Sequence, residues 1–114
     1  MALAIAIESA DPQGEGAALH NLGATYQMLG RPGEAREHYL RARAVRQKAG
    51  DRKGEAETSR DIGDILHHSG QAEAARRSWS QALAIFDDLG DPQAADVRDR
   101  LTALFIRSGG GAIR

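Results

Sequence analysis

The chain has 114 residues, of which 41% are hydrophobic and 27% are charged, and its formal net charge is −1. This composition excludes a disordered chain, and the charge gives no general attraction to nucleic acid or to an anionic membrane. The lack of cysteine excludes a disulfide framework and a thiolate site, and it suits a reducing cytoplasm, where we expect the protein.

The first ten residues begin with an apolar run that Glu8 ends. The run has no basic flank and is too short for a membrane span or a signal peptide, so we expect no membrane partner. Moved forward by 40 residues, Ala2, Ala4 and Ile5 match Ala42, Ala44 and Val45. Residues 1–10 are therefore predicted to be the remnant of a preceding helix.

Glycines then follow at a spacing of 20 residues, at Gly30, Gly50, Gly70 and Gly90. Each comes after a segment whose apolar residues have helical spacing, and glycine just past a helix end can adopt the left-handed conformation that closes it. No segment shows strand alternation. The pattern predicts an all-α chain with helices at 13–29, 32–49, 53–69, 72–89 and 92–107.

The full repeat is two such helices, or 40 residues. Leu22-Gly23 recurs as Ile62-Gly63, and each pair of helices carries facing apolar positions. The first pair has Leu19, Leu22, Tyr26 and Leu29 opposite Ala35, Tyr39, Ala42 and Val45, and the second has Ile62, Ile65 and Leu66 opposite Ala75, Trp79, Ala82 and Ile85. Small residues at Gly23 and Ala35 allow close crossing. The pattern predicts antiparallel hairpin repeats at 14–50 and 54–90, each leaving an apolar side for its neighbour to cover.

Helix starts and the end of the chain complete the outline. Asp11-Pro12 and Asp91-Pro92 each give an aspartate N-cap followed by proline, and Pro32 begins another helix. The partly polar segment 92–107 is predicted to be a closing helix, which makes 1–107 one domain. The glycine-rich segment 108–114 is expected to be a flexible tail.

These residues resemble the tetratricopeptide repeat. Its pattern is present as Leu22-Gly23, Tyr26, Ala35, Tyr39 and Ala42, and again as Ile62-Gly63, Leu66, Ala75, Trp79 and Ala82. The family's usual proline after the second helix is replaced by Gly-Asp, a 40-residue form similar to the repeats of kinesin light chains, bacterial signal-transduction ATPases and antibiotic-regulatory transcription factors. The resemblance implies an α-α superhelix of about two full repeats plus flanking helices, acting in a bacterial signalling or transcriptional regulator.

The resemblance also implies a concave face, lined by the first helix of each hairpin, that docks an extended or helical protein segment. The positions that it assigns to this face are Ala17, His20, Asn21, Ala24, Gln27, Glu57, Arg60, Asp61, Asp64, His67 and Arg100. Asn21 resembles the family asparagine that hydrogen-bonds a peptide backbone, whereas the set that grips a chaperone's carboxyl terminus is missing. The alternative is that these polar side chains only pair with one another and with water.

Two other functions remain open at this point. The first is self-association as a homodimer, because repeat arrays usually need three or more units for stability. The second is nucleic-acid contact through the arginine-rich segment 31–53, although a solvated face with local ion pairs explains that segment better. Its charge also suggests pairing with Asp87, Asp88 and Asp91 of a neighbouring molecule.

Catalytic, cofactor and metal sites are not predicted. His67 and His68 are adjacent and point about 100° apart on a helix. Gly14-Glu15-Gly16 follows no strand, so it does not indicate a dinucleotide loop. Asp61 and Asp64 lack an acid–base partner and are interpreted as solvated charges, and Trp79 as core. We therefore expect a protein that is not an enzyme and binds no cofactor.

Overall fold

The computed structural model describes residues 11–107, which form five helices and no strand. The helices are α1 (Pro12–Met28), α2 (Pro32–Lys48), α3 (Arg52–His68), α4 (Ala72–Leu89) and α5 (Gln93–Arg107). Each begins and ends within one residue of its predicted bounds, which confirms the all-α fold. The predicted helical remnant at 1–10 and the predicted tail at 108–114 lie outside the described residues.

The same turn closes each of the first four helices. Gly30, Gly50, Gly70 and Gly90 all have positive φ, between 65° and 79°. The N–H of the residue after each glycine donates to the carbonyl five residues earlier, as in the 2.9 Å bond from Arg31 to Tyr26. This satisfies carbonyls that the helix end leaves unpaired and turns the chain back on itself.

An aspartate precedes three of the helices, but only two of these aspartates accept a capping hydrogen bond. The Asp51 carboxylate accepts the Gly54 N–H at 2.9 Å, and Asp91 accepts the Gln93 N–H at the same distance. Asp11 occupies the N-cap position of α1, but its side chain makes no capping hydrogen bond. The aspartate cap predicted at residue 11 is therefore a cap by position only.

Successive helices pack against each other in chain order, from α1 on α2 to α4 on α5. Glycine under an aromatic ring explains how closely the two helices of a hairpin cross. A Cβ added at Gly23 would lie 2.8 Å from Tyr39 Cδ1, and one added at Gly63 would lie 2.3 Å from Trp79 Cδ1. Both rings are buried, as predicted for Trp79.

Coverage differs along the stack. Helix α3 lies between α2 and α4 and buries eight residues, whereas α1 buries three. The outer side of a hairpin is thus covered by the next hairpin, as the repeat predicts. The apolar stripe predicted for α1 wrongly includes Leu29. This residue is the C-cap at the hairpin tip and is 62% exposed. Within residues 11–107, no helix is both long and apolar enough to cross a membrane.

Candidate partner-binding face

Helices α1, α3 and α5 present their polar side chains to one another, and we call this side the first-helix face. It contains the residues that the sequence assigned to a groove, namely His20, Asn21, Ala24 and Gln27 on α1, Glu57, Arg60, Asp61, Asp64 and His67 on α3, and Arg100 on α5. Each is placed by a helix whose opposite side is buried in the stack. The contacts of these residues decide which of them are available to a partner.

His20 joins α1 to α3. Its Nε2 lies 3.0 Å from Asp61 Oδ2, and its Nδ1 lies 3.1 Å from Thr58 Oγ1. Burial raises the pKa of Asp61, but the hydrogen bond with His20 and the charge of Arg60 outweigh it, so that the net pKa is below the ordinary value. Asp61 is therefore a paired carboxylate in the joint between two hairpins.

Asp64 joins α3 to α5. Its Oδ1 accepts from Arg100 Nε at 2.8 Å and from Trp79 Nε1 at 3.0 Å. Arg100 also donates to Asp96 on its own helix. Burial lowers the pKa of Arg100, but these two carboxylates more than offset it and raise the net pKa. The expectation that Asp61 and Asp64 are solvated charges is wrong, because both are engaged in contacts between helices.

A third link runs through Gln93, which is not among the site residues predicted from the sequence. Arg60 donates to Asp61 Oδ1 at 3.1 Å and to Gln93 Oε1 at 2.5 Å, and the Gln93 amide donates to Glu57 at 3.2 Å. Nothing in the sequence pattern marks Gln93 as a contact residue, because a glutamine in the first turn of a helix such as α5 is common and usually solvated. Arg60, on which a partner contact was predicted, is thus held by the fold.

The phenol of Tyr39 reaches the same face from α2. Its hydroxyl donates to Gln27 Oε1 at 3.0 Å, which occupies one acceptor of that predicted groove residue. Burial, followed by the charges of Asp61 and Asp64, raises the pKa of Tyr39 to about 12. The hydroxyl therefore remains a proton donor throughout the neutral range.

The remaining predicted residues are less engaged. Among residues 11–107, the exposed side chain of Asn21 makes no hydrogen bond, and only the Asn21 carbonyl accepts one, from Thr25. The half-buried His67 ring packs on Trp79 at 5.4 Å between centroids. Ala24 packs on the core cluster. Asn21 and His67 are thus the polar positions of the predicted set whose side chains make no hydrogen bond within residues 11–107.

An open cavity of about 270 Å³ lies between α3 and α5. Its lining combines apolar groups with charges of both signs, and consists of Asp64, His67, His68, Trp79, Arg100, Ala103, Leu104 and Arg107. A second cavity of about 280 Å³ shares His67, Leu104 and Arg107 with the first. The two together form a cleft with Leu104 in the shared wall, which we call the α3–α5 cleft. Leu104 and Arg107 are not among the site residues predicted from the sequence.

In the arginine-rich segment 31–53, four of the eight basic residues are paired with carboxylates of the same chain. Arg31 is paired with Glu34 at 2.5 Å, and Arg52 with Asp88 at 2.6 Å. Asp87 is paired with Arg98, and Lys53 Nζ lies 3.8 Å from Asp91 Oδ2. Asp87, Asp88 and Asp91 thus have partners in the same chain, and their expected pairing with a neighbouring molecule stays a prediction. No three metal-binding side chains cluster in the part of the chain that the structure describes.

The chain is similar to known proteins both in its sequence and in its fold. A family model described as tetratricopeptide repeat matches residues 1–48 and 14–88. The crystal structure of BtubC (BKLC) from P. vanneervenii superposes with a TM-score of 0.79 at 22% sequence identity, covering 86% of this chain and 41% of that one. The chain thus spans less than half the length of that protein. None of the curated proteins matches.

Proposed function

Because the chain belongs to the tetratricopeptide repeat family, whose repeats generally mediate protein–protein interaction, we propose that it docks a segment of another protein on its first-helix face. The partner lies across α1 and α3 and ends in the α3–α5 cleft. The module serves a bacterial signalling or transcriptional regulator in the cytoplasm, and its own contribution is binding rather than catalysis.

The observation that carries this proposal is the α3–α5 cleft, which is lined by His67 and lies on the same first-helix face as Asn21. The cleft is open, is walled by Trp79 and Leu104, and is next to His67. Concave sites with apolar walls and a few polar groups are where proteins usually bind ligands. The exposed amide of Asn21 offers both a donor and an acceptor to a peptide backbone.

The experiment starts with a peptide library displayed on phage and selected on the purified chain. The tightest peptide is synthesised and titrated against wild type and against Asn21→Ala combined with His67→Ala. We expect the double variant to weaken binding at least about tenfold, since truncating two central contacts commonly costs more than about 1.4 kcal/mol. Amide chemical shifts should change in α1, α3 and α5.

The matched control is Arg36→Ala combined with Arg41→Ala, two exposed residues of α2. It should leave the affinity unchanged. Equal weakening by both variants, or shifts confined to α2 and α4, would show that the first-helix face is not the site. A failure to select any peptide in repeated rounds would count equally against it.

A further inference from the structure

The joint between the two hairpins holds a partly buried arginine where the next joint holds a phenylalanine. Arg46 on α2 and Phe86 on α4 are 40 residues apart and so occupy the same position of the repeat. Phe86 is fully buried in the apolar core. The Arg46 side chain is only 13% exposed, in the corresponding place between α1, α2 and α3.

Glycines make room for this arginine. A Cβ added at Gly16 would lie 2.8 Å from Arg46 Cγ, and one added at Gly54 would lie 2.8 Å from Arg46 Cδ. One repeat later the same two positions are Ala56 and Ala94, both buried in the core cluster with Phe86. Arginine with two glycines and phenylalanine with two alanines are thus alternative ways of filling the same joint.

The arginine head group is incompletely satisfied. Nη1 has two protons but three possible acceptors, namely Thr58 Oγ1 at 3.0 Å, the Gly54 carbonyl at 3.3 Å and His20 Nδ1 at 3.3 Å. Nε is buried without a hydrogen bond and lies 3.8 Å from Asp51 Oδ2. A partly buried charge with an orphaned donor contributes less to stability than a well-packed apolar side chain of similar volume.

The partners of Arg46 also compete with one another. Thr58 has a single hydroxyl proton, which can go to the Gly54 carbonyl at 2.8 Å or to His20 Nδ1 at 3.1 Å. If His20 Nδ1 carries a proton and donates to Thr58, it can no longer accept from Arg46. At least one hydrogen bond of the cluster is therefore unmade in either arrangement, so the joint is weaker than its number of contacts suggests.

We propose that this polar joint is a built-in hinge at which hairpin α1–α2 leaves the stack as a unit while α3, α4 and α5 stay together. The α4–α5 joint is held by Phe86 and Val97, both fully buried. The two ends of the stack are therefore unequal, and opening begins at Arg46. Removing the charge closes the hinge, because Thr58 and Asp51 keep other partners, the Gly54 carbonyl and the Gly54 N–H.

Hydrogen exchange followed by mass spectrometry on the full chain tests this. In wild type, amides of α1 and α2 should exchange faster than those of α3 and α4. Arg46→Met, which keeps an unbranched side chain, should slow exchange in α1 and α2 by roughly tenfold. Arg36→Met on the exposed side of α2 is the matched control and should change nothing.

Swapping the residues of the two joints tests whether fast hydrogen exchange follows the polar joint or the end of the chain. Gly16→Ala with Arg46→Phe and Gly54→Ala copies the second joint and should protect α1 and α2. Ala56→Gly with Phe86→Arg and Ala94→Gly copies the first and should transfer the fast exchange to α5. Uniform exchange in wild type would overturn the proposal, as would faster exchange of α1 and α2 in Arg46→Met.

Discussion

Single residues determine how closely two helices of this stack approach. At Gly63 there is no space for even one methyl group, because Trp79 lies against the backbone. At Gly33, in the first turn of α2, an added Cβ would meet nothing within 4 Å. The two glycines are both helical, so they separate the effect of contact from that of helix propensity.

Gly63→Ala should therefore destabilise the protein, by about 1–3 kcal/mol, since inserting a methyl group into a packed crossing displaces the ring. Gly33→Ala should stabilise it by up to about 1 kcal/mol, since alanine is the better helix former. Urea unfolding followed by circular dichroism measures both. A Gly63→Ala variant as stable as wild type would mean that the indole moves without cost.

Asp61 should make stability depend on acid. Its folded-state pKa is lowered, with burial outweighed by His20 and Arg60, so its contribution is complete above the unfolded pKa of about 4. The contribution is lost as the pH falls through the lower, folded-state pKa. The free energy of unfolding should thus fall less steeply in acid for Asp61→Asn than for wild type.

Asp99 provides the comparison for that titration, since it is an exposed aspartate of α5. Asp99→Asn should retain the acid dependence of wild type. Parallel curves for wild type and Asp61→Asn between pH 2.5 and pH 7 would show that the His20–Asp61 pair adds nothing.

Some contacts of single residues could be predicted from the sequence, and others could not. The aromatic-over-glycine crossings follow from the repeat, so Tyr39 and Trp79 were predicted as core. Arg46 was assigned to a solvated basic segment, although its match to Phe86 and the two glycines beside it were visible. The pairing of Asp61 and Asp64 was not predictable, because it depends on the distance between helices that are not neighbours in the chain.

At the scale of the helix, the regular turn explains why the helix bounds could be predicted within one residue. A glycine every 20 residues marks each end with a conformation that other residues adopt only under strain. The signal is local, which is why it survives without any knowledge of packing. Helix α5 begins at Gln93, one residue later than predicted, and the Asp91 carboxylate accepts the N–H of that first residue.

The turn itself can be tested at Gly50, where φ is 74° and no atom lies within 4 Å of an added Cβ. Gly50→Ala should cost about 1–2 kcal/mol through the left-handed backbone alone. Gly50→Asn should cost less, because asparagine tolerates this conformation better. Thermal unfolding compares the two, and equal losses would mean that backbone conformation is not the cause.

On the scale of the whole molecule, stability passes from helix to helix. Most packing contacts join helices that are consecutive in the chain. Helices α1 and α5 are therefore connected only through the helices between them. Stacks of this kind unfold as neighbouring units rather than as one closed core. The first-helix face adds polar ties across the stack, at His20–Asp61 and at Asp64–Arg100.

Circular dichroism and Trp79 fluorescence together show whether the helices unfold in separate units or all at once. Fluorescence reports on the second hairpin, because the only tryptophan of the chain lies there. Leu19→Ala removes buried contacts of α1, a change that typically costs about 2–5 kcal/mol. Part of the helical circular dichroism should then be lost at lower urea, while Trp79 fluorescence keeps nearly its wild-type midpoint. Ile62→Ala, in the central helix α3, should move both transitions together. If circular dichroism and fluorescence give the same midpoint in Leu19→Ala, the five helices unfold as a single cooperative unit, and the expectation that neighbouring units of this stack unfold separately is wrong.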